Sequence, residues 1–290
     1  MSKTGPQLYP GASQQYRYQG KYGGSPMEVN VVVLHTTEGR TLPDYGGGAS
    51  APTLTAVPDT AAKKLRWYQH FDIDVSARAL VNLKGGVETN TNNVAQIELV
   101  GTCDPATRAE WVKAGKRQNA DFIFWPEAPD WALAELAAFL RWMNRQHGVP
   151  LSGPSSWPAY PGSYGATRAR MTGEQWNGFR GVCGHMHVPE NTHGDPGSIN
   201  FPRLIALAKG TNPTSEEDTD MPTAKEIATA VWAQPIPNRF RKDAAGKPVP
   251  TPAGTFLEYG DSHFDVLVAK VDSLTTAVEK LTAALAAKGA

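Results

Sequence analysis

Cysteine is nearly missing from this chain: Cys103 and Cys183 are the only two in 290 residues, too few for a disulfide scaffold. Net charge is missing as well. Lys+Arg and Asp+Glu both total 28, for a formal charge of +0, which removes the general electrostatic case for nucleic acid or an anionic membrane as partner. No apolar run approaches the length of a membrane span, so no membrane insertion is expected. Residues 1–20 are polar and lack the apolar stretch of a signal peptide, so the expectation is synthesis in the cytoplasm. What is present is core-forming material: 40% hydrophobic residues, 19% charged and eight Trp. That composition belongs to a folded chain.

Composition changes along the length. Residues 1–210 hold 20 basic and 17 acidic residues and seven of the eight Trp, whereas residues 211–290 hold 8 basic and 11 acidic. The change coincides with a polar, acidic, Pro-containing stretch from Thr211 to Asp220, which cannot bury a core and reads as a linker. The division expected is a large domain over 1–210, a linker over 211–222 and a C-terminal module over 223–290.

In the first part, Val29 to His35 is a β-branched run that predicts a buried strand. Ala79 to Leu83, closed by Lys84-Gly-Gly86, predicts a second, and the alternating Val94 to Val100 a third. Leu133, Leu136, Ala137, Leu140 and Met143 recur at helical spacing, with Asp130 as cap and Gly148 and Pro150 as stops. A short helix is expected over 204–209 and a long ordered loop over 154–165. Strands mixed with helices indicate an α/β or α+β domain.

Histidine carries the chemistry. His35 ends the buried strand, and His185, His187 and His193 cluster between Cys183 and Gly197. A strand-end His with a His and an Asp from a second segment would make a zinc ligand set; the alternative is three polar loop residues and one buried, hydrogen-bonded His. Cys183, two positions before His185, is a further possible ligand or a core residue.

The order of these pieces is informative: a strand ending in His35-Thr-Thr-Glu-Gly39, a strand with Ile97-Glu-Leu-Val-Gly101, then Gly184-His185 followed ten positions later by Asp195-Pro-Gly197. Over roughly residues 25–210 this resembles the zinc-dependent N-acetylmuramoyl-L-alanine amidases, the amidase-2 type related to peptidoglycan-recognition proteins and common among bacteriophage endolysins. The resemblance implies an α/β fold with a mixed central β-sheet flanked by helices. It implies Zn2+ held by His35, His185 and Asp195, with Glu98 as base and His193 supporting the oxyanion. The reaction implied is hydrolysis of the bond between N-acetylmuramic acid and L-alanine in bacterial peptidoglycan by a zinc-activated water. A protein of that type, made in the host cytoplasm, would act on the wall after release. His187 competes with His185 for the ligand role, since i and i+2 share a face on a strand; the motif register favours His185.

The chain also departs from that family. Many members have Ser-Ala-His-Tyr where this sequence has Ser76-Ala-Arg-Ala-Leu80, so a Tyr used near the metal by some relatives is missing. Trp67-Tyr-Gln-His-Phe71 is either replacement aromatic surface with a polar His70, or a core strand. Glu38 is either a partner behind the metal site or a strand-end cap. Trp157, Tyr160 and Tyr164 either stack on sugar rings or pin their loop. A Cys103–Cys183 disulfide requires neighbouring strands.

In the C-terminal module, 223–233 predicts a short helix and 235–260 an irregular Pro/Gly-rich stretch. Phe264, Leu267, Val271, Leu274, Val278, Leu281 and Leu285 then recur at heptad spacing, which predicts a coiled-coil helix over 262–287 and a homo-oligomer. Wall targeting is the other role open to this module. Three rival functions stand beside the endolysin: a virion-associated wall lysin, a non-catalytic peptidoglycan-binding protein, and a zinc peptidase cutting within the stem peptide.

Overall fold

A computed structural model describes residues 5–210, 235–252 and 267–276. The chain divides into two units, Met1–Pro213 and Thr214–Ala290. The first is an α/β unit. In chain order its elements are the one-turn helix α1 (Gln19–Tyr22), β1 (Val31–Thr36), the four-residue turn α2 (Tyr45–Gly48), β2 (Leu54–Asp59), β3 (Lys64–Gln69), β4 (Val94–Leu99), α3 (Pro105–Lys113), α4 (Asp130–His147), α5 (Gly173–Gly178), β5 (Gly181–Gly184) and α6 (Phe201–Lys209).

The five strands form one mixed sheet in the order β3-β2-β4-β1-β5, with β2, β4, β1 and β5 mutually parallel and β3 antiparallel to β2. All six residues of β1 are buried, as expected of a strand with both sheet faces covered. Side chains alternate between the faces. Val32, Leu34, Leu54, Ala56, Ala95, Ile97 and Val182 pack on one face with Leu133, Leu136, Leu140 and Met143 of α4 and Leu204 of α6. Val31, Val33, Val94 and Cys183 pack on the other with Trp176 of α5 and Leu80.

The structure differs from the sequence expectations in four places here. Residues 79–83 are not a strand: the amides of Ala79, Leu80 and Val81 donate to the side chains of Gln96, Asn90 and Asn191, so side-chain acceptors replace a neighbouring strand. Strand β3 overlaps the core strand offered for 67–71, and it pairs with β2, which was not expected and which contains Pro58. That residue lies beyond the three β2 positions that pair with β4, where its missing N–H costs no ladder bond. Helix α3 buries no residue and so has no apolar period to read; its signal is Asp104, which caps Ala106 N, followed by Pro105. Helix α4 starts one residue earlier than a cap at Asp130 implies, with Pro129 in the capping position, and ends on left-handed Gly148.

In the second unit, β6 (Pro235–Lys242) and β7 (Pro248–Pro252) form an antiparallel hairpin where an irregular stretch was expected. The prolines fall at alternate positions, 235 and 237 in β6 and 248, 250 and 252 in β7. Alternate residues direct their N–H groups to one side, so the prolines remove donors from one edge of each strand. Asp243 Oδ1 closes the turn by accepting from Ala245 N and Lys247 N. Residues 267–276 form helix α7. The expected helix over 223–233 and the rest of the heptad seam lie outside the described residues. No helix among the described residues is long and apolar enough to cross a membrane.

Candidate metal and catalytic site

Strand register builds the first half of the site. His35 pairs with Glu98 on β4, and Glu98 with Thr55 on β2. All three fall on the sheet face of Val31, Val33 and Val94, so alternation places a polar row across three strands at the ends of β1 and β4. The ends of parallel strands are where α/β sheets present ligand-binding groups.

The second half comes from the segment after β5. Gly184 leads into a tight 3-10 turn over His185–His187, and the chain returns at Asp195. A Cβ on Gly184 would stand 2.7 Å from Pro196 Cδ, so glycine is what lets the returning segment close on the strand end. The Thr36 amide donates to Asp195 Oδ2 at 3.1 Å, tying that segment to β1.

These pieces bring His35, His185 and Asp195 together, with donor atoms within 4.8 Å of one another and all three residues buried. His35 Nδ1 lies 3.0 Å from His185 Nδ1 and 3.6 Å from Asp195 Oδ2, and His185 Nδ1 lies 3.3 Å from Asp195 Oδ1. Glu98 Oε1 is 4.0 Å from His35 Nδ1. His193 lies at the rim, its side chain 66% exposed, with Nδ1 3.8 Å from Asp195 and its ring stacked on His185 at 4.8 Å.

The hydrogen bonds assign the His185 proton. Asn191 Nδ2 donates to the Pro189 carbonyl, and Asn191 Oδ1 accepts from Val81 N at 2.9 Å. Oδ1 also faces His185 Nε2 at 2.9 Å and can only accept there, so Nε2 carries the hydrogen and Nδ1 directs a lone pair at His35 and Asp195. His35 has no satisfactory proton. Its Nε2 is buried without a partner among the described residues. A proton there is an orphaned donor and leaves two Nδ1 lone pairs facing each other; a proton on Nδ1 leaves Nε2 an orphaned acceptor. Two neutral imidazoles and a carboxylate are a zinc donor set, and a cation taking both Nδ1 lone pairs would remove their clash, with the His35 hydrogen then on Nε2, so the residues fit the metal.

Electrostatics agree with that fit. Burial, and then His185, push the His35 pKa down to about 3, which keeps the ring neutral. Burial alone would raise Asp195, but His185, His35 and the Thr36 amide hold it well below the usual carboxylate range. Burial, then Asp195 and Glu38, push Glu98 well above it, and Glu98 Oε2 is buried without a partner. Burial, then His185, lower His193.

Two residues that sequence reasoning passed over hold the ligand segment. Asn191 is one. Arg170 is the other: its guanidinium donates to the carbonyls of Gly165, His185, Val188 and His193. Neither has a sequence signature: Arg170 acts through four backbone carbonyls, and Asn191 through the Val81 amide and the His185 ring.

His187 does not share a face with His185, because the segment is a 3-10 turn and not a strand. Its Nδ1 accepts from Gly184 N, its Nε2 donates to the Ser156 carbonyl, and Trp157 packs on its edge. Cys183 belongs to the apolar cluster beneath the sheet, and both cysteines are free and buried. Glu38 ties the end of β1 to the segment after β4, accepting from Thr36 Oγ1, Thr102 Oγ1 and Cys103 N. Trp67 and Phe71 are core residues. Trp157 stacks on Phe201, whereas Tyr164 is 53% exposed and lies 6.5 Å from the His193 ring. An open cleft of about 510 Å³ exposes Glu98, His193 and the three clustered residues, with Tyr45 on its wall. A side lobe of about 250 Å³ lies between Cys103, Tyr160 and Tyr164.

No family model matches the chain, and no curated protein does. Among solved structures, a mutant of PlyL aligns with a TM-score of 0.38 at 10% identity, over 68% of this chain and 98% of that one. A mutant endolysin from Bacillus subtilis aligns with a TM-score of 0.27 at 15% identity, over 52% and 80%. Likeness at that level carries no weight for function, which must be reasoned from the chain's own residues.

Proposed function

We propose that this chain is a zinc-dependent N-acetylmuramoyl-L-alanine amidase of the bacteriophage endolysin type. The observation that carries the reading is the convergence of His35, His185 and Asp195 beside Glu98 in one open cleft. Bound zinc would supply acidity to water near pH 7 and polarisation of the substrate carbonyl.

The chain's own groups do the rest. Burial, Asp195 and Glu38 favour the protonated form of Glu98, and its carboxylate form would be the one favoured next to a bound cation. Glu98 then takes a proton from water and delivers it to the leaving nitrogen. His193, at the rim on the Asp195 side, donates a hydrogen bond to the oxyanion. The C–N bond breaks and a C–O bond forms, leaving the lactyl carboxylate of N-acetylmuramic acid and the free amine of L-alanine. Synthesis in the host cytoplasm and action on peptidoglycan after release complete this reading. Self-association through the C-terminal helix belongs to it too, supported by Leu267, Val271 and Leu274, which stand exposed on α7.

Digestion of cell walls with the full chain, followed by mass analysis and metal assay, tests the reading. New N-terminal L-alanine, intact glycan and one zinc per chain are expected. Glu98→Gln should keep zinc and fold and lose about 10²–10⁴-fold in turnover. Cuts within the stem peptide would make the protein a zinc peptidase, and wall binding without cutting a recognition protein. Detection in purified particles would make it a virion-associated lysin.

A further inference from the structure

Tyr45, on the cleft wall, has φ +55°, and Gly46, Gly47 and Gly48 follow at +63°, +65° and +91°. The glycines take this left-handed turn without steric cost; a tyrosine does not. Two hydrogen bonds hold it there. Asp44 Oδ1 accepts from Gly46 N at 3.0 Å, and the Tyr45 hydroxyl lies 2.6 Å from Thr55 Oγ1.

Thr55 continues the chain inward. Its Oγ1 is 2.9 Å from His70 Nε2, and His70 Nδ1 is 2.7 Å from the Tyr16 carbonyl oxygen. Thr55 and His70 are fully buried. A carbonyl only accepts, so His70 Nδ1 carries a hydrogen. Burial brings the His70 pKa down to about 4, so near neutral pH the ring is uncharged and Nε2 bears a lone pair. Thr55 must give its single proton to that lone pair, and its oxygen must accept from Tyr45. The proton order is thus fixed from a backbone carbonyl to the cleft wall. The Tyr45 hydrogen points into the protein, and its oxygen has only acceptor capacity left.

We infer that Tyr45 orients the substrate by accepting an amide N–H of the peptide stem, with Thr55 and His70 as positioning residues that keep its oxygen acceptor-only. The identity of the substrate rests on the amidase reading above; the proton order does not. An acceptor-only wall also disfavours stems that present an ester oxygen at that point, since two acceptors would face each other.

Two readouts on the full chain separate the parts. Ring-¹⁵N NMR should show His70 as the Nδ1–H tautomer throughout pH 6–8; an Nε2–H ring overturns the proton order. For binding, the probe is N-acetylmuramoyl-L-alanyl-D-isoglutamine, titrated into zinc-loaded protein carrying Glu98→Gln so that nothing turns over. Adding Tyr45→Phe should weaken binding about 2- to 12-fold, the worth of one neutral hydrogen bond, with zinc content unchanged. Thr55→Val should match that loss without adding to it in the double variant, while Thr55→Ser retains affinity. N-methylation of one stem amide of the probe should erase the difference made by Tyr45→Phe. Equal binding of the unmodified probe with and without Tyr45→Phe overturns the substrate role. Failure of the probe to bind at all overturns the amidase reading and the substrate role together, and the NMR result still judges the proton order alone.

Discussion

His185 and His187 are two residues apart and both buried, yet their chemical situations are opposite. His187 spends both ring nitrogens on the backbone, one accepting from Gly184 N and one donating to the Ser156 carbonyl. His70 likewise has a partner for each ring nitrogen, the Thr55 hydroxyl and the Tyr16 carbonyl. His185 spends one nitrogen on Asn191 and turns the other toward His35 and Asp195. Burial therefore does not separate a structural histidine from a metal ligand. The direction of the second ring nitrogen does: His187 gives it to the backbone, whereas His185 aims a lone pair at His35 and Asp195.

Substitution breaks or sharpens this contrast most strongly at the pair itself. His185→Ala should remove the metal, taking zinc per chain from one to near zero and wall lysis with it. His187→Ala should leave the metal bound and instead cost stability. It unpairs Gly184 N and the Ser156 carbonyl, worth about 1–3 kcal/mol if they stay buried. Metal analysis and thermal unfolding read the two outcomes side by side, and the opposite pattern would make His187 the ligand. Asn191→Ala should fall between them, weakening metal affinity about 10–100-fold because His185 loses the group that sets its tautomer. Chelator competition measures that loss.

The strand-end His35, the Gly184-His185 pair and Asp195 were legible as residue types in order, and β1 and β4 as apolar runs. Alternation then puts Glu98 on the same face as His35, but only register puts it opposite, and register is a property of pairing. The 3-10 turn at 185–187 was not legible. Strand parity grouped His187 with His185, whereas the turn points it at Trp157. Arg170 and Tyr45 were invisible for another reason. One works through four carbonyls, and the other owes its position to three glycines and a buried threonine.

A smaller effect tests the burial of the uncharged rings. The folded pKa is about 4 for His70 and about 3 for metal-free His35, against an ordinary 6.5. Between those values and 6.5 the unfolded chain binds protons that the folded chain refuses. These two rings therefore make the metal-free protein lose stability as pH falls from 6.5 toward 4, a loss that Glu98, whose raised pKa acts in the opposite sense, partly offsets. Thermal unfolding between pH 7.5 and 5 should show that decline. His70→Gln should lower stability at pH 7.5 and flatten the slope, because one refused proton is gone. An unchanged slope would mean that His70 titrates folded as it does unfolded, so that its ring charges, and the proton order at Tyr45 is lost, below 6.5.

The smallest effect on turnover should come from removing the second unit. The cleft proposed as catalytic is lined by residues within 35–195, inside the first unit. The described part of α7 instead exposes Leu267, Val271 and Leu274 by 57%, 54% and 66%, and these three keep the 4,3 spacing of a helix seam. Large apolar side chains on one helix stripe are costly in water at about 25 cal/mol per Å², which favours packing against another copy. The chain ended after residue 210 should then run as a zinc-loaded monomer, with kcat on soluble muropeptides within about twofold of the full chain's, since the groups that reach substrate are unchanged. The full chain should be an oligomer by light scattering at micromolar concentration, and Leu274→Asp should dissociate it without touching turnover. A monomeric full chain would break the seam reading. Loss of soluble-substrate activity on truncation would mean that the cleft depends on the second unit after all.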